Sequence, residues 1–220
     1  MTNAPFRPFE TEVDEGKALN LLEKACAGAE DGELFLERSK SEALVLDDGR
    51  VKTASFDTSQ GFGMRAVLGE VAGYAHSTEI TEAAMTRAVE TARLAVGAGG
   101  GTMAVGPKGT NTRLYEAIDP IESAGFSAKL DILKEIDAYA RALDPRVVQV
   151  TASVSATYQE VEILRVGGQR LTDVRPMTRL NVGVIVERDG RRESGSAGGG
   201  GRAGLTGLLE PSNWQANARE

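Results

Sequence analysis

The chain has 220 residues and a formal net charge of −7, and this length is enough to bury the core of one large or two small domains. The negative net charge argues against nucleic-acid binding, and so does the absence of any basic run longer than Arg191-Arg192. Cys26 is the only cysteine, so an internal disulfide is excluded. Its place in an alanine-rich helical segment predicts a small buried side chain rather than a reactive thiol.

The sequence contains no stretch with the length and apolar character of a transmembrane helix, and the N-terminus lacks the apolar centre of a signal peptide. We therefore expect a soluble protein that works in the cytoplasm.

Residues 1–97 predict a first α+β unit. Leucines and alanines at helical spacing predict a helix at 14–27, and Thr81 is the predicted N-cap of a second helix that ends at Gly97. Between the helices, five short strands separated by turn signals are predicted at 33–38, 41–47, 50–57, 61–68 and 70–75. Asp48-Gly49 is the predicted hairpin turn between the second and third strands.

Residues 98–126 are rich in glycine and contain Pro107 and Pro120, which predicts a connection between two units. The second unit, 127–220, begins with a predicted helix that Asp144-Pro145 ends. The strands after it alternate apolar and polar residues, which predicts an antiparallel sheet with one packed side and one solvent-facing side. The predicted fold class is α+β, with two helix-plus-antiparallel-sheet units joined by a Gly/Pro-rich connection.

The most unusual feature of the sequence is a run of four glycines followed by an arginine: Gly198, Gly199, Gly200, Gly201 and Arg202. Glycine is costly to order, so we expect the run at a strand-to-helix transition that needs positive φ or close backbone approach. Two roles stay open. The run is either a hinge or close-packing element, or a loop that contacts substrate or a partner through backbone N–H groups. No Lys-Ser/Thr pair follows the glycines, so a P-loop is excluded.

No pattern in the chain forms a recognisable catalytic centre. His76 is the only histidine, and one histidine with one distant cysteine cannot supply the three or four ligands of a typical zinc site. No nucleophile motif accompanies His76, so we expect it exposed at the end of a strand. Gly61-Phe62-Gly63 lacks the third glycine and the following helix of a dinucleotide fingerprint. We therefore predict no catalytic residue, no metal ligand and no cofactor in this chain.

Three segments resemble the N-terminal part of the TldD branch of the TldD/PmbA family. They are DTSQGFGMRAVLGEVAGYAHSTEIT at 57–81, KLDILKEIDAYARALDPRVVQVTAS at 129–153 and DVRPMTRLNVGVIVERDGRRESGSAGGGGR at 173–202. The segments follow the order of the family and cover most of the chain from Leu34 to Arg202. The third segment is the most specific of the three.

The resemblance implies membership of a family of zinc metallopeptidases whose HExxxH helix lies in a C-terminal domain. That helix has no counterpart in this sequence, so the resemblance carries no metal ligand or catalytic residue onto it. It implies an N-terminal and central portion that helps to form the substrate cleft and the dimer, with zinc in the missing C-terminal domain. Members act with a TldE (PmbA) partner on unfolded or leader peptides, and the family has also been described as a modulator of DNA gyrase.

We therefore expect a portion of a TldD-like zinc metallopeptidase that is inactive alone. The expected partners are a peptide substrate and either a TldE/PmbA-like subunit or a second copy of the chain, with residues 198–202 in contact with one of them. The alternative is a stand-alone peptide-binding or assembly module that takes up an extended peptide at an exposed strand edge without cutting it. Neither a membrane nor direct DNA contact is expected, the latter because the chain is acidic.

Overall fold

The computed structural model describes residues 5–96 and 114–220, and within them the chain forms six helices and six strands. The helices are α1 (Pro8–Thr11), α2 (Glu15–Ala25), α3 (Glu82–Val96), α4 (Phe126–Leu143), α5 (Thr206–Leu209) and α6 (Pro211–Arg219). The strands are β1 (Asp31–Asp47), β2 (Arg50–Leu68), β3 (Val71–Ser77), β4 (Val147–Arg165), β5 (Arg170–Arg188) and β6 (Arg191–Gly201). Among these helices, none is both long enough and apolar enough to cross a membrane.

The six strands form one sheet in the order β3-β2-β1-β4-β5-β6. Antiparallel pairing places Phe62 of β2 opposite Ser77 of β3. It also places Arg188 of β5 opposite Arg191 of β6, across a two-residue turn. The predicted α+β class is confirmed.

The strands are longer than the sequence predicts. Predicted strands 33–38 and 41–47, for example, are both part of β1. The polar residues that indicated a break stay in the strand because their charges have partners there. Arg38 forms an ion pair with Glu160 at 2.7 Å, and Lys40 forms one with Asp119 at 3.4 Å.

The chain folds into two compact units, each built from three segments. Unit 1 comprises Met1–Ser39, Ser59–Thr112 and Gln159–Asp173, and unit 2 comprises Lys40–Thr58, Arg113–Tyr158 and Val174–Glu220. Long strands contribute residues to both units, so the units alternate along the chain. The limits predicted from the sequence (1–97, 98–126 and 127–220) assume consecutive units and stay a prediction. Residues 98–113 of the predicted connection lie outside the described residues.

The core of unit 1 is formed by α2 and α3 against buried strand residues such as Leu34, Leu36 and Met64. Both helices begin at side-chain caps. Asp14 accepts a hydrogen bond from the backbone N–H of Lys17 at 2.9 Å. The predicted N-cap Thr81 accepts one from the N–H of Ala84 at 3.2 Å. These caps satisfy backbone donors that the first helical turn leaves without partners.

The core of unit 2 lies under one face of its strands. The predicted stripe of α4, including Leu133 and Ile136, is buried with apolar strand residues such as Val154 and Leu180. Trp214 of α6 completes this core and meets the ring of Tyr139 edge-on, with 5.5 Å between ring centroids. The helices of unit 2 thus leave the polar residues of β4 on the opposite face, which is the face that carries the candidate site.

Candidate functional site

The four glycines lie inside strand β6, so the predicted strand-to-helix transition at this position is wrong. They pair with β5 in regular antiparallel register, from Gly198 opposite Asn181 to Gly201 opposite Thr178. None of them has a positive φ. Of the two reasons that the sequence offered for the glycines, only close backbone approach therefore remains.

Alternate glycines of the run meet very different surroundings. A Cβ on Gly200 would lie 2.2 Å from the carbonyl oxygen of Thr178, and one on Gly198 would lie 2.5 Å from the carbonyl oxygen of Leu180. A Cβ on Gly199 would meet nothing nearer than Leu208 at 3.8 Å. The strand therefore requires glycine at positions 198 and 200, where any side chain would collide with the backbone of β5.

Strand β6 is the last strand of the sheet, and no other described strand pairs with its outer side. The turn at Asp189 and Gly190 has positive φ at both residues, 52° and 78°, as a type I′ turn requires. In such a hairpin Arg188 and Arg191 form a hydrogen-bonded pair. The even-numbered residues of β6, including Gly198 and Gly200, consequently direct their N–H and C=O groups toward the open edge.

A shallow cavity of about 240 Å³ lies beside this edge, on the solvent-facing side of β4, β5 and β6. Its lining is uncharged and combines polar residues and glycines with two apolar residues: Gln149, Thr151, Gly183, Val184, Ile185, Ser194, Gly195 and Ser196. These groups offer hydroxyl, amide and backbone hydrogen bonds, which suit binding rather than acid–base chemistry.

Asp47 of β1 anchors the polar face next to this cavity. Its carboxylate accepts hydrogen bonds from Gln149 and Thr151, both at 2.8 Å, and from Lys52 at 3.2 Å. These hydrogen bonds from Gln149, Thr151 and Lys52 lower the pKa of Asp47 to about 2. The sequence shows Gln149 and Thr151 on a polar strand face, but the contact with Asp47 depends on β1 lying beside β4, which no local pattern reveals.

Arg202 follows the glycine run and is exposed. Its guanidinium lies over the ring of Tyr115, 5.3 Å from the centroid, where a cation–π contact is favourable. All five residues that the sequence singled out thus lie together at the end of β6, and no comparison tests whether they contact a substrate or a partner.

The described residues contain no group of three or more His, Cys, Asp or Glu side chains placed to hold a metal ion. His76 is exposed near the end of β3, as predicted, and stacks on Tyr74 with 5.7 Å between ring centroids. Cys26 is buried, as predicted, and burial raises the pKa of its thiol to about 11. The donors in this part of the chain therefore do not fit a zinc site of the usual kind.

Two family models match the chain. Residues 32–96 match domain 1 of the PmbA/TldA metallopeptidases, and residues 119–219 match the central domain of the same family.

Similar curated proteins carry the name "Metalloprotease TldD homolog". The Haemophilus influenzae protein is 38% identical over 182 residues, which cover 81% of this chain and 38% of that protein. The protein from Buchnera aphidicola of Acyrthosiphon pisum is 31% identical over 193 residues, which cover 87% of this chain and 40% of that protein. The chain thus spans about two fifths of the length of these relatives.

Solved structures share the fold. TldE from Thermococcus kodakarensis superimposes with a TM-score of 0.73 at 12% identity, covering 92% of this chain and 46% of that one. A Thermotoga maritima protein, described as a candidate modulator of a DNA gyrase, gives a TM-score of 0.72 at 18% identity over 93% of this chain and 46% of that one. At these identities the likeness shows the fold alone.

Proposed function

Because this chain belongs to the PmbA/TldD metallopeptidase family, we propose that it forms the N-terminal and central portion of a TldD-like zinc metallopeptidase that cleaves unfolded or leader peptides. The match to domain 1 and the central domain supports this assignment. The coverage of about two fifths of the curated relatives is consistent with a catalytic zinc site in the remaining portion of the enzyme. That zinc would activate the water that attacks the peptide bond.

In this proposal, the chain binds the substrate at the open edge of β6. The observation that carries it is the backbone of Gly198 and Gly200, whose N–H and C=O groups face outward with no side chain beside them. An extended peptide can pair with such an edge through main-chain hydrogen bonds, which do not depend on its sequence. Unfolded or leader segments can readily adopt the required extended form, which supports such peptides as substrates of this edge.

The proposal includes assembly with a TldE/PmbA-like subunit or with a second copy of the chain, in the cytoplasm. The shared fold with TldE supports it, since two subunits of the same architecture can pair through equivalent surfaces. Direct contact with nucleic acid is not part of the proposal, because the net charge is −7.

A second candidate is a non-catalytic peptide-binding module, which the same open edge favours. The two functions differ in one respect: a binding module would hold peptides without any need for a catalytic portion. The test must therefore separate binding from cleavage.

The experiment is a chimera in which this chain replaces the matched portion of the Haemophilus influenzae relative. We expect it to cleave unfolded casein and to lose the activity to a zinc chelator. Ser196→Pro removes an outward N–H without removing a bond to β5, so kcat/KM should fall by at least about tenfold at an unchanged Tm.

A chimera that folds and binds zinc but leaves casein intact would contradict the peptidase role. Peptide binding by the 220-residue chain without cleavage by that chimera would favour the second candidate. Full activity of the Ser196→Pro variant would remove β6 from the substrate path.

A further inference from the structure

The sheet has a second open edge, which lies in β2. Strand β3 pairs with β2 only from Phe62 onward. Every residue of β2 from 50 to 60 is exposed, including the apolar side chains of Val51, at 46%, and Phe56, at 48%. Over residues 50–58, which belong to unit 2, no strand in the described part of the chain covers the outer side of β2.

Such an edge is a hazard in a protein that works alone. Natural edge strands are usually short or are protected by charged side chains (lysine above all), proline or bulges. Residues 50–58 contain no proline, and charge is limited to Arg50, Lys52 and Asp57. Edge strands of this kind are templates for pairing with another strand.

The hairpin turn determines which backbone groups are available on this edge. Asp48 and Gly49 both have positive φ, 51° and 74°, so the turn is of the two-residue type that pairs Asp47 with Arg50 through hydrogen bonds. Hydrogen-bonded and non-hydrogen-bonded pairs alternate along an antiparallel ladder, so counting from this turn assigns outward N–H and C=O groups to Val51, Thr53, Ser55 and Asp57. The alternation shifts by one residue before Phe62, because even-numbered residues such as Leu68 pair with β3 through hydrogen bonds.

We propose that residues 50–58 of β2 pair with the same residues of a second copy of this chain, antiparallel about a two-fold axis at Ala54. This inference deepens the assembly part of the proposed function, on which it rests, and names its surface. With a two-fold axis perpendicular to the sheet, each residue lies opposite a residue whose side chain is on the same face of the sheet. The two residue numbers in a pair therefore add up to an even number. The register centred on Ala54 meets this condition and uses all nine residues of the unit 2 edge.

The side chains are complementary in this register. Ala54, the smallest, meets its own copy where a non-hydrogen-bonded pair brings the strands closest. Lys52 lies opposite Phe56, twice by symmetry. The ammonium of Lys52 donates to Asp47 at 3.2 Å, so its aliphatic stem is the part that packs against the ring. Arg50 lies opposite Thr58, and Asp57 lies opposite Val51. No like charges oppose each other, which would destabilise the pairing.

A cysteine series tests the register. In the complete 220-residue chain, Ala54→Cys should form a disulfide-linked dimer under mild oxidation, because the two introduced thiols face each other across the axis. Asp57→Cys is the matched control, since its copies are six residues out of register and about 20 Å apart. The native Cys26 is buried and should not cross-link.

Light scattering after size exclusion supplies the second measurement. The unmodified chain should be a dimer, and Ala54→Lys should weaken self-association by at least about tenfold, because two lysines then oppose each other. Ser194→Lys, on the exposed β6 strand, should stay dimeric. The proposal is overturned by a monomeric unmodified chain, by equal cross-linking of the Ala54→Cys and Asp57→Cys variants, or by dissociation only in the Ser194→Lys variant.

The peptidase assay is independent of these measurements. A chimera that cleaves casein while the chain is monomeric would reject the β2 interface and leave the enzyme assignment standing. Cross-linking of the Ala54→Cys variant together with an inactive chimera would support the β2 interface and reject the enzyme assignment.

Discussion

At the level of single residues, the alternation within the glycine run makes a sharp prediction. Gly200→Ala should lower the free energy of unfolding by about 1–3 kcal/mol, the usual cost of overpacking, because its Cβ would lie 2.2 Å from the carbonyl oxygen of Thr178. Gly199→Ala is the matched control and should leave stability nearly unchanged. Urea unfolding of both variants measures the difference, and equal stability would mean that β6 can move away from β5 at no cost.

Lys129 illustrates how a buried charge depends on its partners. Its side chain is 1% exposed and forms an ion pair with Glu42, and its ammonium also donates to the carbonyl oxygen of Ile121 at 2.8 Å. Lys129→Met leaves the largely buried carboxylate of Glu42 without its cation, so the free energy of unfolding should fall by about 3 kcal/mol.

The control for Lys129 is Lys134, which is also on α4. Lys134 pairs with Asp131, but its side chain is 55% exposed. Lys134→Met should cost less than about 0.5 kcal/mol. The double variant Lys129→Met, Glu42→Leu should recover much of the loss, because no unpaired charge remains. A Lys129→Met variant as stable as Lys134→Met would show that Glu42 finds another partner or water.

Asp47 should make stability depend on pH in the acid range. Hydrogen bonds from Gln149, Thr151 and Lys52 lower its pKa in the folded state from 3.8 to about 2. The resulting stabilisation is present above the unfolded pKa and is lost as pH falls through the folded pKa. Tm should therefore fall between about pH 4 and about pH 2 more steeply in the unmodified chain than in Asp47→Asn. Parallel curves would mean that Asp47 titrates normally.

At the level of secondary-structure elements, the short segment around α1 should contribute more to stability than its length suggests. Phe9 is buried in the core of unit 1, and the guanidinium of Arg170 lies 5.2 Å from its ring centroid. Phe9→Ala should lower the free energy of unfolding by about 3 kcal/mol or more. Phe126, which is 50% exposed at the start of α4, is the control, and Phe126→Ala should cost far less. Similar losses would contradict the burial of Phe9.

The helices could be predicted from the sequence because their signals are local. Asp14, Thr81 and the Asp144-Pro145 stop all lie at or next to helix ends in the structure. The strand limits could not be predicted, because polar residues such as Arg38 stay in β1 only through a partner 122 positions away. For the candidate site, the sequence singles out the glycine run, whereas the place of the glycines in an edge strand depends on pairing with β5, which no local pattern reveals. Their functional role stays a prediction.

At the level of the whole molecule, the two open edges of unit 2 differ in chemistry. The outward groups of β6 include glycine backbone without side chains, which suits a peptide of any sequence. The β2 edge carries Lys52 and Phe56, whose exposed side chains suit one specific partner. One sheet could therefore hold a variable substrate at one edge and a fixed subunit at the other.

The metal content of the isolated chain tests the proposal that this chain binds the substrate and that the catalytic zinc lies outside it. His76 is exposed and Cys26 is buried, with burial raising the pKa of its thiol to about 11, so the two cannot act together as ligands. Purified chain should retain no stoichiometric zinc after dialysis, and His76→Ala should not change its metal content or Tm. The chimera with the Haemophilus influenzae relative should retain zinc under the same conditions. One zinc per isolated chain, lost in His76→Ala, would place a metal centre in this part of the enzyme and contradict the proposed separation of substrate binding from catalysis.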